Sequence, residues 1–387
     1  MKVIHINHYS SSTITSDYEA SQTKDWYART AFALKKRFPK YEVECWAPEI
    51  KYKKEKTFVK NGVKFRIFPS TFHLVFPIEY SQKMIKALKK ELRQNPDTVI
   101  HLHEYHTLHA YIIALLHKKH KIVAQHHGAK NPLNYILRYK LLTPLFPFLL
   151  ILELIERHAL KKISVFFCLN QQEVNHLKKF IKRAQIKFQP MGTDDFFFSR
   201  IPKKKARQEL INRGYDISHN KLILYVGRLV RQKGIQYLIK SISNLPEDLK
   251  KETKLFILGV GPYQKKLEHL IKKHKINAVF TGFLGKERKL FYAASDLFVL
   301  PSLNEGFGVV LVEALASNTQ VIGTNVGGIP SIILPKKNGY IVPVKDTKKL
   351  KEKIELSLRH PLRNVSKYAE KYSWDTIIKN TEKYYRL

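Results

Sequence analysis

Short runs dominated by apolar residues alternate along the whole chain with lysine-rich stretches whose apolar residues recur three and four apart. In the first half the runs are Val3–Ile6, Val43–Trp46, Val99–Leu102, Ile122–Ala124, Val165–Cys168 and Ile186–Gln189. In the second half they are Leu222–Val226, Leu255–Leu258, Val279–Thr281, Leu297–Leu300, Val321–Ile322 and Tyr340–Val342. Segments such as Ala28–Lys36, Met84–Leu92 and Lys265–His274 carry the helical spacing between them. A strand that is apolar on both faces must be covered on both, so the alternation predicts parallel sheets enclosed by helices. Two such series within 387 residues predict an α/β chain of two doubly wound, Rossmann-like domains facing a central cleft.

Pro202 and the lysines beside it mark 199–206 as an exposed linker. The expected organisation is therefore an N-terminal domain over 1–198, a C-terminal domain over 207–367, and a terminal helix, 368–387, that crosses back to the first domain. Of 16 glycines, only Gly62, Gly128 and Gly192 precede residue 200. Close backbone approach to phosphate needs glycine, which points to the second domain as the one that handles it.

The formal net charge of +37 is split almost evenly between the halves and forms no basic tail. It favours polyanions as a class, an anionic membrane surface included, without selecting one; a solvated lysine-rich surface explains it equally well. Two cysteines, Cys45 and Cys168, in apolar runs read as buried thiols and fit a reducing cytoplasm. The apolar stretch 141–155 is broken by Pro144 and Pro147 and is too short to span a bilayer. It reads as a buried helix or an interfacial segment beside Arg138 and Lys140.

Four constellations carry candidate chemistry. After strand Leu222–Val226 comes Gly227-Arg228-Leu229-Val230-Arg231-Gln232-Lys233-Gly234, where Arg228 offers a bidentate fork and Lys233 a point charge to phosphate. After Leu297–Leu300 comes Glu305-Gly306-Phe307-Gly308 and then an apolar helical run containing Glu313. The amides there suit an anion, and a carboxylate accepts paired hydroxyls. Because Glu313 is flanked by apolar residues, it must be buried and must have a partner. Thr324-Asn325-Val326-Gly327-Gly328-Ile329-Pro330 is a Gly-Gly turn after strand Val321–Ile322, readable equally as packing beside the donor site or as a plain turn. His101-Leu102-His103-Glu104-Tyr105-His106 and His126-His127-Gly128 end strands of the first domain, as hydrogen-bonding or acid/base groups rather than metal ligands. No Asp-x-Asp is present to hold a divalent ion against a diphosphate, so cationic side chains are expected to do so, with no metal cofactor.

In this order the motifs resemble those of retaining GT-B glycosyltransferases of family 4. The likeness rests on Gly227-Arg228 with Lys233-Gly234, on Phe280-Thr281-Gly282-Phe283-Leu284-Gly285, and on Ala294-Ser295-Asp296 before Leu300-Pro301-Ser302. It is completed by Glu305-Gly306-Phe307-Gly308 with Glu313-Ala314. Pro190-Met191-Gly192-Thr193-Asp194 and Ser373-Trp374-Asp375 resemble the family's segments at the two domain crossings. Two segments depart from the pattern. The loop His8–Ser12 lacks the family's glycines, and Ser317-Asn318-Thr319-Gln320 replaces a Gly-Pro turn.

The resemblance implies roles. Arg228 and Lys233 would neutralise the donor diphosphate. Glu305 and the amides of Gly306, Phe307 and Gly308 would hold the sugar, Glu313 the ribose, and backbone near Phe283 the base. His127 would face the sugar. It implies a metal-independent hexosyltransferase that uses a UDP- or GDP-linked hexose and retains configuration. The acceptor would be a glycan or a lipid-linked molecule, and the enzyme would be cytoplasmic or peripheral at the inner membrane face. Two other readings stay open: a non-catalytic protein that binds anionic membrane or nucleic acid (nucleic acid being disfavoured by the diffuse charge), and a sugar-nucleotide epimerase on the same fold.

Overall fold

The computed structural model describes the chain except residues 8–22, 24, 74–78, 118, 128–145, 218–220 and 387, and except the side chains of 73 and 146–150. The loop His8–Ser12, Gly128, Arg138, Lys140 and residues 141–145 therefore lie outside the described residues. The chain divides into two compact units, Met1–Pro190 with Trp374–Leu387, and Met191–Ser373. This moves both expected boundaries. Residues 199–206 are not a linker: a helix begins at Lys203 and runs to Asn212. Lys203 and Arg207 pair with Asp296 of the same unit at 2.5 and 2.6 Å.

The first unit holds an eight-stranded sheet in the order β10-β9-β8-β7-β1-β2-β4-β3. The strands are β1 Lys2–Asn7, β2 Glu42–Glu49, β3 Lys56–Lys60, β4 Val63–Pro69, β7 Val99–His103, β8 Ile122–Gln125, β9 Val165–Cys168 and β10 Gln185–Phe188; β5 Phe72–His73 and β6 Glu79–Tyr80 form a small separate ladder. All pairings in the large sheet are parallel except β3 with β4. That hairpin was missed in the sequence because lysines obscure its alternation. Its turn is Asn61-Gly62, both at positive φ, the pair that two-residue hairpins favour.

One face of this sheet packs Val3, Cys45, Val99, Val123 and Phe167 against the helix Trp26–Arg37 and the C-terminal helix Trp374–Arg386, through Tyr27, Leu34, Ile378 and Tyr385. The other face packs Ile4, Ile6, Ile100 and Leu102 against helices that include Gln82–Gln94, Leu108–Leu116 and Phe146–Leu160. Covering both faces is what makes β1 and β7 apolar nearly throughout. Both cysteines are buried and free. The 141–155 stretch is not simply core: on its helix Ile151, Leu154 and Ile155 are exposed. No helix among the described residues is long and apolar enough to cross a membrane.

The second unit holds a six-stranded, wholly parallel sheet in the order β13-β12-β11-β14-β15-β16. These are β11 Lys221–Val226, β12 Thr253–Leu258, β13 Ala278–Gly282, β14 Leu297–Leu300, β15 Val321–Thr324 and β16 Gly339–Val342. The order reverses between β11 and β14, where a crevice opens beyond the carboxyl ends of the strands. Asp296 fixes this junction from below: its carboxylate accepts from the Leu222 amide at 2.7 Å, tying the start of β14 to β11.

Candidate functional site

In the second unit the loop after β11 and the loop after β14 meet above that reversal. Gly234 sits at φ +71, and a Cβ on it would fall 1.8 Å from the Pro301 carbonyl oxygen. Only glycine allows the two loops so close. The approach brings the Lys233 ammonium to 2.8 Å from Glu305, and the Ser302 hydroxyl donates to the same Glu305 oxygen at 3.1 Å. The loop after β15 closes on the third side. Gly327, at φ +53, would place a Cβ 1.7 Å from the Glu305 carbonyl oxygen, and the Gly328 amide donates to the Gly306 carbonyl.

Gly308, at φ +93, starts the helix Val309–Ala316, which has no side-chain cap. Phe307 is buried and packs on Tyr372, ring centroids 5.8 Å apart. The amides of Gly306, Phe307 and Gly308 donate to no acceptor among the described residues. Unspent amides at a helix N-terminus, next to a cation and a carboxylate, suit a ligand that carries both negative charge and hydroxyl groups.

Glu313 is buried, as its apolar surroundings require, and its partner was not foreseen. Arg288 holds it with two parallel bonds, Nε to Oε2 at 2.9 Å and Nη2 to Oε1 at 2.7 Å, and the Tyr292 hydroxyl donates to Oε2 at 3.0 Å. Burial works against the Arg288 charge, but the bonds to Glu313 prevail and raise its pKa. Burial and the neighbouring Glu313 push the Tyr292 phenol up. Arg288 opens the helix Arg288–Ala294 that follows β13, with no motif to announce it; the signal was that a buried carboxylate demands a cation. Arg228 is exposed, and its backbone carbonyl is held by the Tyr225 hydroxyl at 3.1 Å. Phe283, just past β13, is 77% exposed. The structure thus joins Lys233 to Glu305 directly and gives Glu313 a separate partner.

The first unit carries the histidines at its own strand-order reversal, between β1 and β7. His5 pairs in register with His101, one strand over. His5 Nδ1 lies 2.9 Å from His103 Nε2, and His103 Nδ1 lies 2.7 Å from His127 Nε2. His101 Nδ1 meets the Tyr385 hydroxyl at 2.5 Å. Burial drives His5 and His127 down to about 3, and His101 well below its usual range. His106 pairs with Glu156 at 2.5 Å and His126 with Glu173 at 2.9 Å. One ring nitrogen from each of His5, His101 and His103 lies within 4.8 Å of the others. His103, however, spends both nitrogens on neighbouring imidazoles, which leaves it no lone pair for a metal ion while those bonds stand. The cluster therefore reads as a hydrogen-bonded imidazole layer.

Two family models match the chain: Glycosyltransferase Family 4 over residues 28–197 and Glycosyl transferases group 1 over residues 207–373. Among curated relatives, an uncharacterized glycosyltransferase of Methanocaldococcus jannaschii, MJ1607, is 37% identical over 43% of this chain and 45% of its own length. A second from the same organism, MJ1178, is 31% identical over 54% of this chain and 64% of its own. The chain thus spans less than two thirds of either relative. Among solved structures, Anabaena Alr3699/HepE in complex with UDP superposes with a TM-score of 0.72 at 14% identity, covering 99% of each chain. At that identity the likeness shows the two-domain GT-B fold.

Proposed function

The chain belongs to the glycosyl transferases group 1 family, and from that premise we propose that it transfers a sugar from a nucleotide-diphosphate donor to an acceptor. The observation that carries this reading is the meeting of Lys233 and Glu305 at the strand-order reversal of the second unit, beside three unspent amides. On this reading Arg228 and Lys233 meet the charge that develops on the departing diphosphate, in place of a metal ion. Glu305 and the amides of Gly306, Phe307 and Gly308 hold the transferred sugar. Preorganised donors of this kind supply several kcal/mol to a transition state that develops charge. Glu313 already accepts three bonds from Arg288 and Tyr292. A carboxylate has about four lone-pair sites, so it retains capacity for a ribose hydroxyl. Exposed Phe283 marks the edge where the base would lie, and His127 is assigned to the sugar. Retention of configuration is taken from the resemblance to family 4, and with no covalent nucleophile identified among the described residues it would proceed by direct front-face substitution within an ion-pair-like state.

The donor is read as a UDP- or GDP-linked hexose; HepE, solved with UDP, supports a uridine donor first. A panel of nucleotide sugars, scored by thermal shift and then by product release, tests the reading. Stabilisation by none of them, with intact protein, would refute it. The anomeric configuration of the product, read by NMR, tests retention. Incubation with donor alone separates a transferase from an epimerase, which needs no acceptor.

The acceptor is proposed to be lipid-linked, presented at an anionic membrane face. Ile151, Leu154 and Ile155 leave one side of the helix Phe146–Leu160 apolar and exposed. Immediately after it, Lys161 and Lys162 join Lys182 and Arg183 around a cavity of about 330 Å³. Flotation with anionic liposomes tests this, and an absence of binding at low salt would end the proposal.

A further inference from the structure

We propose that Arg288 is a positioning residue: it ties Glu313, the carboxylate assigned to the ribose, to residues 282–285, the loop assigned to the base, so that one braced unit reads the nucleoside end of the donor. The inference rests on the donor reading of Glu313 and Phe283 given above, and adds to it a residue that touches neither the diphosphate nor the sugar.

The guanidinium has acceptors on two sides. Nε and Nη2 form the fork on Glu313, at 2.9 and 2.7 Å, and Nη1 donates to the Gly285 carbonyl at 2.6 Å. Its plane is seated on the buried ring of Phe197, with Cζ 4.6 Å from the ring centroid. A planar group with several fixed N–H donors holds acceptors in two directions at once, whereas an ammonium is a single point. Arg288 thus spans from the helix Val309–Ala316, which carries Glu313, to the backbone just past β13.

That backbone needs a brace. Gly282 stands at φ +73, and a Cβ on it or on Gly285 would meet nothing within 4 Å. Phe283 between them is exposed. Two glycines beside open space give a segment much freedom to lose when a ligand orders it. Its main chain is held at both ends: the Gly259 amide donates to the Gly282 carbonyl at 2.7 Å, and Arg288 takes the Gly285 carbonyl. The second hold is itself fixed by the buried carboxylate. The distance between Glu313 and the loop is therefore set before any nucleotide arrives. Preorganisation of this kind strengthens binding without adding a contact.

The test is calorimetric binding of UDP, of its dideoxy analogue lacking both ribose hydroxyls, and of inorganic pyrophosphate to the full-length protein. Wild type should prefer UDP to the dideoxy analogue by about tenfold or more, the worth of a hydrogen bond to a charged group. Arg288→Lys keeps a cation beside Glu313 and loses the span. It should weaken UDP about tenfold, bring its preference over the dideoxy analogue below about threefold, and leave pyrophosphate within about twofold. An unchanged preference overturns the proposal; so does an equal loss for all the probes, which marks a general disturbance of the fold. If Arg288→Lys does not fold, Phe197→Leu serves instead. It keeps both charges, removes the platform, and should cut the preference about threefold; no change overturns the proposal. In the wild type, UDP should slow amide hydrogen exchange across residues 282–287 and pyrophosphate should not; equal protection by both, or protection by neither, overturns it as well. A wild type that binds UDP but does not distinguish it from the dideoxy analogue removes Glu313 from the ribose, and this inference with it, while leaving the diphosphate donor standing. A wild type that binds neither UDP nor GDP sinks the donor reading itself.

Discussion

Lys233 Nζ lies 2.8 Å from Glu305 Oε2, a cation from the loop after β11 against a carboxylate from the loop after β14. The side chains are 19% and 13% exposed, so the pair is largely buried and solvent screens it only in part. Its placement at the strand-order reversal, with exposed Arg228 on the same loop, makes it the part of the molecule where activity and stability should separate most cleanly.

Arg228→Ala should therefore lower kcat by roughly 10²–10³ while changing unfolding free energy by no more than about 0.5 kcal/mol, as at other exposed positions. Steady-state kinetics beside urea denaturation checks both. Wild-type turnover would remove Arg228 from the donor site.

The Arg288 and Glu313 pair should behave in the opposite way. Arg288→Ala leaves the buried Glu313 carboxylate without its cation and is expected to cost about 3 kcal/mol. Replacing both, Arg288→Met with Glu313→Leu, should recover most of that loss, because the cost is that of a stranded charge. A double-mutant cycle by urea denaturation reads the coupling.

Gly327→Ala should both destabilise the fold and weaken donor binding. Its Cβ would lie 1.7 Å from the Glu305 carbonyl oxygen at φ +53, so the backbone that carries Glu305 must move. Overpacking of this kind costs about 1–3 kcal/mol or more. Gly214→Ala is the control: its φ is +88, but nothing lies within 4 Å of the added atom. It should show only the left-handed penalty of about 1 kcal/mol and normal donor binding.

Acid should destabilise the first unit. Burial pushes His5, His109 and His127 down to about 3 from an unfolded value near 6.5. Below pH 6.5 the unfolded chain takes up protons that the folded chain refuses. The stability is thus complete above pH 6.5 and declines as pH falls toward 3, by about 1.4 kcal/mol per histidine per pH unit. Glu173, lowered against its own burial mainly by His126, adds to the loss in the carboxylate range. Denaturation midpoints at pH 7.5, 6.5 and 5.5, followed by the fluorescence of Trp26, Trp46 and Trp374, all in the first unit, should fall steeply between the last two. Flat midpoints would mean that these rings are hydrated.

The parts of the fold that follow from hydrophobic rhythm could be read before the structure. The same tripeptide, Val-Ile-His, begins at Val3 and at Val99, and the two copies pair in register in adjacent strands. That repeat could have exposed His5 as the neighbour of His101, yet only the second copy drew attention, because its strand ends in further histidines. Lys233 and Glu305 were legible because glycines flank both, and a glycine contact is what brings them together. Arg288 was not, since no local rule distinguishes one arginine in a basic chain from another. The domain limits were missed because proline and lysine at 202–205 suit the first turn of a helix as well as a linker.

The cover of the first sheet is finished by residues that follow the whole of the second unit in the chain. Tyr385 closes over His101, and Ile378 joins a core begun by Val3, yet the whole of Met191–Ser373 is synthesised between them. At roughly 5–20 residues per second, a nascent chain holds an apolar face open for on the order of ten seconds or longer. The second unit has all its sequence first, although it begins later. Any message cut short just before the codon for Trp374 leaves the second unit whole and the first with a permanently sticky face, which is the kind of product chaperones and proteases sort out.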